Sequence, residues 1–356
     1  MRFLKVFLAC VLLTAVAACS DGDDGDVASG DRPAEESSDA PVEESADEPV
    51  PVEDVKMVTL PSTAIAPAYI AQELGYFEDE SLNVEFVPVQ SAIDIIGSLA
   101  QGELQAVFSG YNAGFFNALA SGVDLVAVGT SIVEGPADVV PGVALAIAAD
   151  RAGEITSVED LRGKKVGLGG GEGGTVSYML DETLREAGMT ISDVEVVSLG
   201  FPDMPTALAN DSVDAAFMTD PFMANGIKAG EIKVLAKAPP GTSGSGLYYN
   251  GEFAQTDAAQ RLFNAVHRAW AHLQEVGWYD EEILEILAKH TGQDAETIRN
   301  SAEQFYSEDL APLPDQLMKQ QQSYMDAGLL DYTELIRAED FVDTSFAENA
   351  AEGDGN

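Results

Sequence analysis

Val166-Gly167-Leu168-Gly169-Gly170-Gly171-Glu172-Gly173-Gly174-Thr175 runs a short apolar strand into a glycine-rich turn, and a helical pattern follows as far as Gly188. The same order recurs twice downstream. A strand over 194–199 enters Gly200-Phe201-Pro202-Asp203, and a strand over 215–218 enters Thr219-Asp220-Pro221-Phe222. Three successive strands thus aim their carboxyl ends at turn-rich loops that open helices, the pattern of an α/β protein with a largely parallel sheet. An apolar strand over 143–148 precedes this series and one over 232–236 closes it.

A matching series lies upstream. Strand 55–60 leads through Pro61-Ser62-Thr63 to a helix over 67–74 that Gly75 ends, since glycine readily takes the positive φ that closes a helix. Strand 84–89, a helix over 92–101, strand 106–108, the Ser109-Gly110-Tyr111-Asn112 turn, a helix to Gly122 and strand 125–128 complete it. Beyond Ala254 the pattern is mainly helical. About 290 ordered residues exceed what one core usually covers, so two lobes are expected. Pro/Gly-rich stretches near 139–143 and 239–247 read as two crossings between them. The expected division is 55–141 with 242–345 as a discontinuous lobe 1, 142–241 as lobe 2, and 346–356 as a tail.

Arg2 and Lys5 precede an uncharged apolar run over 6–18 that is too short to span a bilayer, which takes about 20 apolar residues. This is the layout of an export signal. The run ends in Val16-Ala17-Ala18-Cys19, which resembles a bacterial lipobox and implies acylation of Cys19, placing the chain on the outer side of a cell membrane. Residues 20–54 hold 14 Asp and Glu against Arg32 alone and contain no aromatic residue. Such a segment cannot bury enough apolar surface to order itself, and it reads as an acidic tether.

Net charge is −43, and outside signal and tether it is still −32. So acidic a surface repels phosphate backbones and excludes nucleic acid as a partner. It suits a salt-rich habitat, where screening shortens self-repulsion. Of 2 Cys, Cys10 leaves with the signal and Cys19 carries lipid, so no disulfide or thiol nucleophile is expected. His267, His272 and His290 lack metal-ligand spacing, and neither metal nor cofactor is expected.

Gly169 to Gly174 formally satisfies G-x-G-x-x-G between a strand and a helix, the dinucleotide fingerprint. The acidic residue at the right distance, Glu195, falls inside the next strand and not at its end, and Lys164 and Lys165 precede the strand, so no Walker-type lysine follows the turn. A tight turn and a backbone cradle for a ligand remain as readings. No Gly-x-Ser-x-Gly elbow occurs, and no enzyme chemistry is expected.

Leu74-Gly75-Tyr76-Phe77-Glu78, Gly102-Glu103-Leu104-Gln105-Ala106, Asp160-Leu161-Arg162-Gly163-Lys164-Lys165-Val166, Phe201-Pro202-Asp203-Met204 and Val213-Asp214-Ala215-Ala216 with Asp220-Pro221-Phe222 resemble the nitrate/taurine/sulfonate and thiamine-pyrimidine binding proteins of ABC importers. The resemblance spans about 55–347. It implies a type II periplasmic-binding-protein fold of two α/β lobes joined by two crossings, and a monomeric receptor that hands a small molecule to a permease and ATPase. A related enzymatic branch works through a histidine and iron, and no histidine stands in the loops at issue here.

Ligands of open α/β sheets bind outside the strands' carboxyl ends, which makes five loops the candidate contacts. They supply Ser62, Thr63 and Ala64; Ser109, Tyr111 and Asn112; Gly173, Gly174 and Thr175; Phe201 and Asp203; and Thr219, Asp220 and Phe222, with Glu134 beside the first crossing. Ser62, Ser109 and Thr175 equally suit helix capping, and Phe201 and Phe222 equally suit core packing. None of the five loops holds Lys or Arg, the usual partners of sulfonate, nitrate or phosphate. Carboxylates and rings there favour a neutral or cationic solute, such as a pyrimidine or a flavin-like heteroaromatic. Sulfonate, taurine or nitrate held by helix N-termini is the alternative, and a module feeding a sensor kinase or a surface enzyme stands behind it.

Overall fold

Two five-stranded sheets, each covered by helices on both faces, organise the chain. The computed structural model describes residues 50–353 apart from Leu60 and residues 88–91. The export signal, Cys19 and the tether up to Pro49 lie outside the described residues. Strands are β1 (Glu53–Thr59), β2 (Leu82–Val87), β3 (Ala106–Gly110), β4 (Leu125–Thr130), β5 (Ile132–Val133), β6 (Val143–Ala148), β7 (Lys165–Leu168), β8 (Glu195–Ser198), β9 (Ala215–Thr219), β10 (Ile232–Ala236), β11 (Ser245–Asn250) and β12 (Phe305–Tyr306).

The first sheet runs β2-β1-β3-β11-β4 and the second, read in the corresponding sense, β8-β7-β9-β6-β10. In each, three strands are parallel and the fourth position is antiparallel to both its neighbours. That antiparallel strand is the first to follow a crossing: β6 enters the second sheet after residues 134–142, and β11 enters the first after residues 237–244. The result is a type II periplasmic-binding-protein fold of two α/β lobes joined by two crossings.

Strand residues alternate between two buried faces, which explains why the strands read as nearly continuous apolar runs. In lobe 1, Met57, Phe108, Leu247 and Tyr249 face one core with helices Ala66–Glu73, Asp257–Val276 and Glu281–Thr291. Val58, Val107, Ala127 and Tyr248 face the other with helices Ala113–Ala120 and Pro314–Asp326. In lobe 2, Leu145, Ile147, Leu168 and Phe217 pack under helix Thr175–Arg185, and Ala144, Ala146, Ala216 and Met218 under helices Met204–Ala209 and Phe222–Ala229.

Three sequence expectations need correction. β1 begins inside the expected tether, because Glu53 and Asp54 pair with Leu82 and Asn83 and Arg261 bonds the Glu53 carboxylate. β11 begins inside the expected second crossing. Its Gly246 reads as a loop residue, yet it is where Tyr111 Oη and Gly129 O approach too closely for any side chain. The expected tail is a helix, Ser345–Gly353, which buries Phe346, Ala347 and Ala350 in the lobe 1 core.

Candidate functional site

At the carboxyl end of β1, Ser62 Oγ accepts the Ala64 N–H (3.2 Å) and caps the turn Thr63–Ile65. The turn is tied down from two sides. Tyr306 Oη donates to Thr63 O (3.3 Å), and Ser131 Oγ donates to Ala64 O (2.8 Å). Ser62, Thr63 and Ala64 remain half-buried.

At the end of β3, Asn112 Oδ1 accepts the Phe115 N–H (3.0 Å), so Asn112 and not Ser109 caps helix Ala113–Ala120. Ser109 is half-buried within β3. Tyr111, a ring that the sequence offers for stacking, is turned into the core. It is 1% exposed, its hydroxyl donates to Gly129 O (2.7 Å) and Leu247 O (3.2 Å), and its ring packs on Phe115 and Tyr248. Burial pushes its phenol pKa well above the ordinary value. Tyr111 follows directly on β3, and its ring fills the lobe 1 core beside Phe115 and Tyr248.

In lobe 2, Gly170 and Gly171 take φ of 76° and 79°, which makes the glycine run a tight turn. Its far end meets lobe 1. Ala113 N–H donates to Gly173 O (3.0 Å), and Thr175 Oγ1 donates to Gly244 O (3.2 Å) in the second crossing. Gly174 is the cap residue of helix Thr175–Arg185, and Thr175 is its first helical residue. The loops 109–113 and 173–175 are therefore in direct contact, with Gly244 between them.

Phe201 and Phe222 are half-buried against the same lobe 2 core, so packing accounts for one side of each ring. The Phe201 ring lies over Gly169, where a Cβ would come within 2.3 Å of it. Asp203 is exposed and Thr219 half-buried.

Two carboxylates expected to serve a ligand are already occupied. Asp220 Oδ1 accepts the Ala224 N–H (3.1 Å) at the start of its own helix, and Oδ2 accepts the Ala302 N–H (2.7 Å) from lobe 1. Burial raises its pKa, and the two N–H donors hold the rise back. Glu134, 7% exposed, pairs with Lys237 at 3.1 Å. Burial raises its pKa too, against the pull of that ammonium.

Ser131, Ser245, Gln320 and Lys237 join this network from outside the five candidate loops. Ser245 Oγ donates to Ser131 Oγ (3.4 Å), which extends the hydroxyl chain from Ala64 to β11. Gln320, fully buried, bonds Tyr111 O through Nε2 from 209 residues away and leaves Oε1 unpaired among the described residues. No local pattern announces such partners, although Lys237, just before Pro239-Pro240-Gly241, was a visible cation at a suspected crossing.

The histidines serve lobe 1 packing. His290 stacks on Tyr69 (4.4 Å) and bonds Glu73 (2.7 Å), His272 meets the edge of Tyr76, and His267 lies 3.5 Å from Asp309. Among the described residues no group of three or more His, Cys, Asp or Glu is placed to hold a metal.

Residues 62–276 match the family described as NMT1/THI5 like. The chain belongs to that family. No curated protein sequence matches this NMT1/THI5-like chain significantly. Among solved structures it is similar to the zinc-bound ligand-binding component of an ABC-type import system from Staphylococcus aureus, with 17% identity, 84% of this chain and 99% of that one covered, and a TM-score of 0.65. It is also similar to the periplasmic aliphatic sulphonate-binding protein SsuA from Escherichia coli (22% identity, 79% and 94% covered, TM-score 0.61) and to the desulfurization enzyme DSZB (15% identity, 85% and 99% covered, TM-score 0.58). At these identities the shared property is the fold.

Proposed function

We propose that this chain is the solute-binding receptor of an ABC importer. The observation that carries the reading is the pair of crossings between two lobes whose strand-end loops face each other, since lobes joined in this way can close on a small molecule at a few hinge residues. The import-system relatives share this architecture, and so does one enzyme. A binding role fits this chain better than catalysis, because its histidines lie in lobe 1 helices and its strand-end loops offer hydroxyls, two exposed carboxylates (Glu172 and Asp203) and rings, with no base and nucleophile paired among the described residues.

The ligand fits best as a neutral or cationic solute, with Phe201 and Phe222 as ring contacts and Asp203, Thr219, Ser62 and Thr63 as polar ones. The cation nearest the crossings, Lys237, is spent on Glu134 and three backbone carbonyls. Sulfonate or nitrate held by Thr175 and the Gly173-Gly174 backbone is the second reading.

A thermal-shift screen of both ligand classes decides between them. A ligand that binds only the folded chain raises its stability by about 2.7 kcal/mol at one hundred times Kd. Micromolar binding of taurine, nitrate or an alkanesulfonate, with none by pyrimidines or flavins, would reverse the assignment. Turnover of a bound compound would replace the receptor with an enzyme. Export and lipid anchoring at Cys19 complete the proposal, and Cys19→Ala should move the protein from the membrane to the soluble fraction. Retention in membranes would remove the anchor.

A further inference from the structure

The first crossing, residues 134–142, contains Gly135, Pro136, Pro141 and Gly142, and the second, residues 237–244, contains Pro239, Pro240, Gly241 and Gly244. Prolines carry no backbone N–H, so a regular ladder between two such segments cannot form. Two backbone bonds join them nonetheless: Glu134 N–H to Thr242 O and Gly241 N–H to Glu134 O, both 2.8 Å. Within the first crossing Val139 N–H donates to Pro136 O (3.1 Å), Gly142 O accepts from Asp220 N–H (2.9 Å), and a further donor reaches this turn from the second crossing.

Lys237 supplies it. Its Nζ lies 2.7 Å from Pro136 O, 3.1 Å from Val139 O, 3.4 Å from Gly135 O and 3.1 Å from Glu134 Oε1. An ammonium has three N–H donors and no acceptor, so four oxygens of one segment share a single cation. The side chains of Lys237 and Glu134 are 14% and 5% exposed, too withdrawn for solvent to compete freely. An exposed ion pair would contribute little, whereas this one is largely desolvated and also holds a folded-back backbone.

We propose that Lys237 is a hinge staple, which fastens the second crossing to the first and governs how freely the two lobes part. This rests on the reading that the lobes move about the crossings. The staple leaves Glu134 engaged and away from any ligand. It also explains a cation at the crossings of a chain otherwise poor in lysine: the charge is directed at backbone and not at solute.

Hydrogen–deuterium exchange on the ligand-free full chain tests it. Lys237→Met keeps the stem and removes the ammonium. Exchange at the Glu134 and Gly241 N–H groups should accelerate at least about tenfold, while β6 and β11 keep their protection. Unchanged rates overturn the staple, and so does equal acceleration in the strands, which would mark a general support of the fold. Glu134→Gln retains Lys237 and its three carbonyls, so the same two N–H groups should speed up less than in Lys237→Met. An equal or larger effect would assign the hinge to the ion pair alone and overturn the carbonyl clasp. These rates need no ligand: a failed solute screen leaves them standing, and unchanged rates leave the screen standing.

Discussion

Asp203 and Asp220 look alike in sequence, each following a strand and starting a helix, yet their surroundings give them different work. Asp220 satisfies two partly buried N–H groups, one in each lobe, while Asp203 is exposed at its turn. Removing a buried acceptor costs about 1 to 3 kcal/mol per stranded donor, whereas an exposed position usually costs no more than about 0.5 kcal/mol. Asp220→Ala should therefore lower the urea midpoint of the ligand-free protein, and Asp203→Ala should leave it in place and act only on ligand affinity. Equal midpoints for the two variants would contradict the division. The raised pKa of Asp220 adds a sign: the folded state holds this proton more tightly than the unfolded one, so the carboxyl's own contribution to stability declines as pH rises through its folded pKa.

Elements of the two lobes meet at a few points of close approach. Gly110, the last residue of β3, leaves room for Thr175: a Cβ there would stand 2.0 Å from Thr175 Oγ1 and 3.2 Å from its Cβ. Gly110→Ala would turn the Thr175 hydroxyl away from Gly244 and push the helix start off the strand end. Small-angle scattering should show a larger ligand-free particle, and Gly110→Ala/Thr175→Ala should recover part of the wild-type radius because the nearer clash is gone. A radius unchanged by Gly110→Ala would mean that the lobes do not bear on each other at this point. A second contact lies behind: Gln316, Ser323 and Asp326 of helix Pro314–Asp326 bond Tyr178 (2.9 Å), Asp181 (2.7 Å) and Arg185 (2.9 Å) of helix Thr175–Arg185. Lobe 1 thus grips lobe 2 without the chain crossing there.

For the whole molecule, charge is the dominant long-range quantity, with 61 acidic residues against 18 basic ones. Many basic side chains are already committed, as with Arg185 on Asp181 and Asp326, Arg261 on Glu53 and Asp257, and Arg151 on Glu154 and Asp214. The remaining carboxylates repel one another over the Debye length, about 10 Å at 0.1 M salt and about 3 Å at 1 M. The melting temperature should climb with sodium chloride across that range. A falling or flat profile would show that the ion pairs outweigh the repulsion.

Strand and helix order, and the loops that could face a ligand, were legible in sequence because each depends on neighbours a few residues apart: β6 and β10 begin and end where the apolar runs do. The acidic balance and the short run ending at Cys19 are likewise local and additive properties. What sequence could not determine is which of two equivalent uses a side chain takes. Tyr111 could have stacked on a ligand and instead fills the core, because Gly129 O and Leu247 O are brought over it by β4 and β11. Asp220 and Glu134 could have met a solute, but Ala302 and Lys237, 82 and 103 residues away, reach them first. Local pattern follows from short-range sterics and polarity, whereas the partner of a buried polar group is chosen only when distant segments come together.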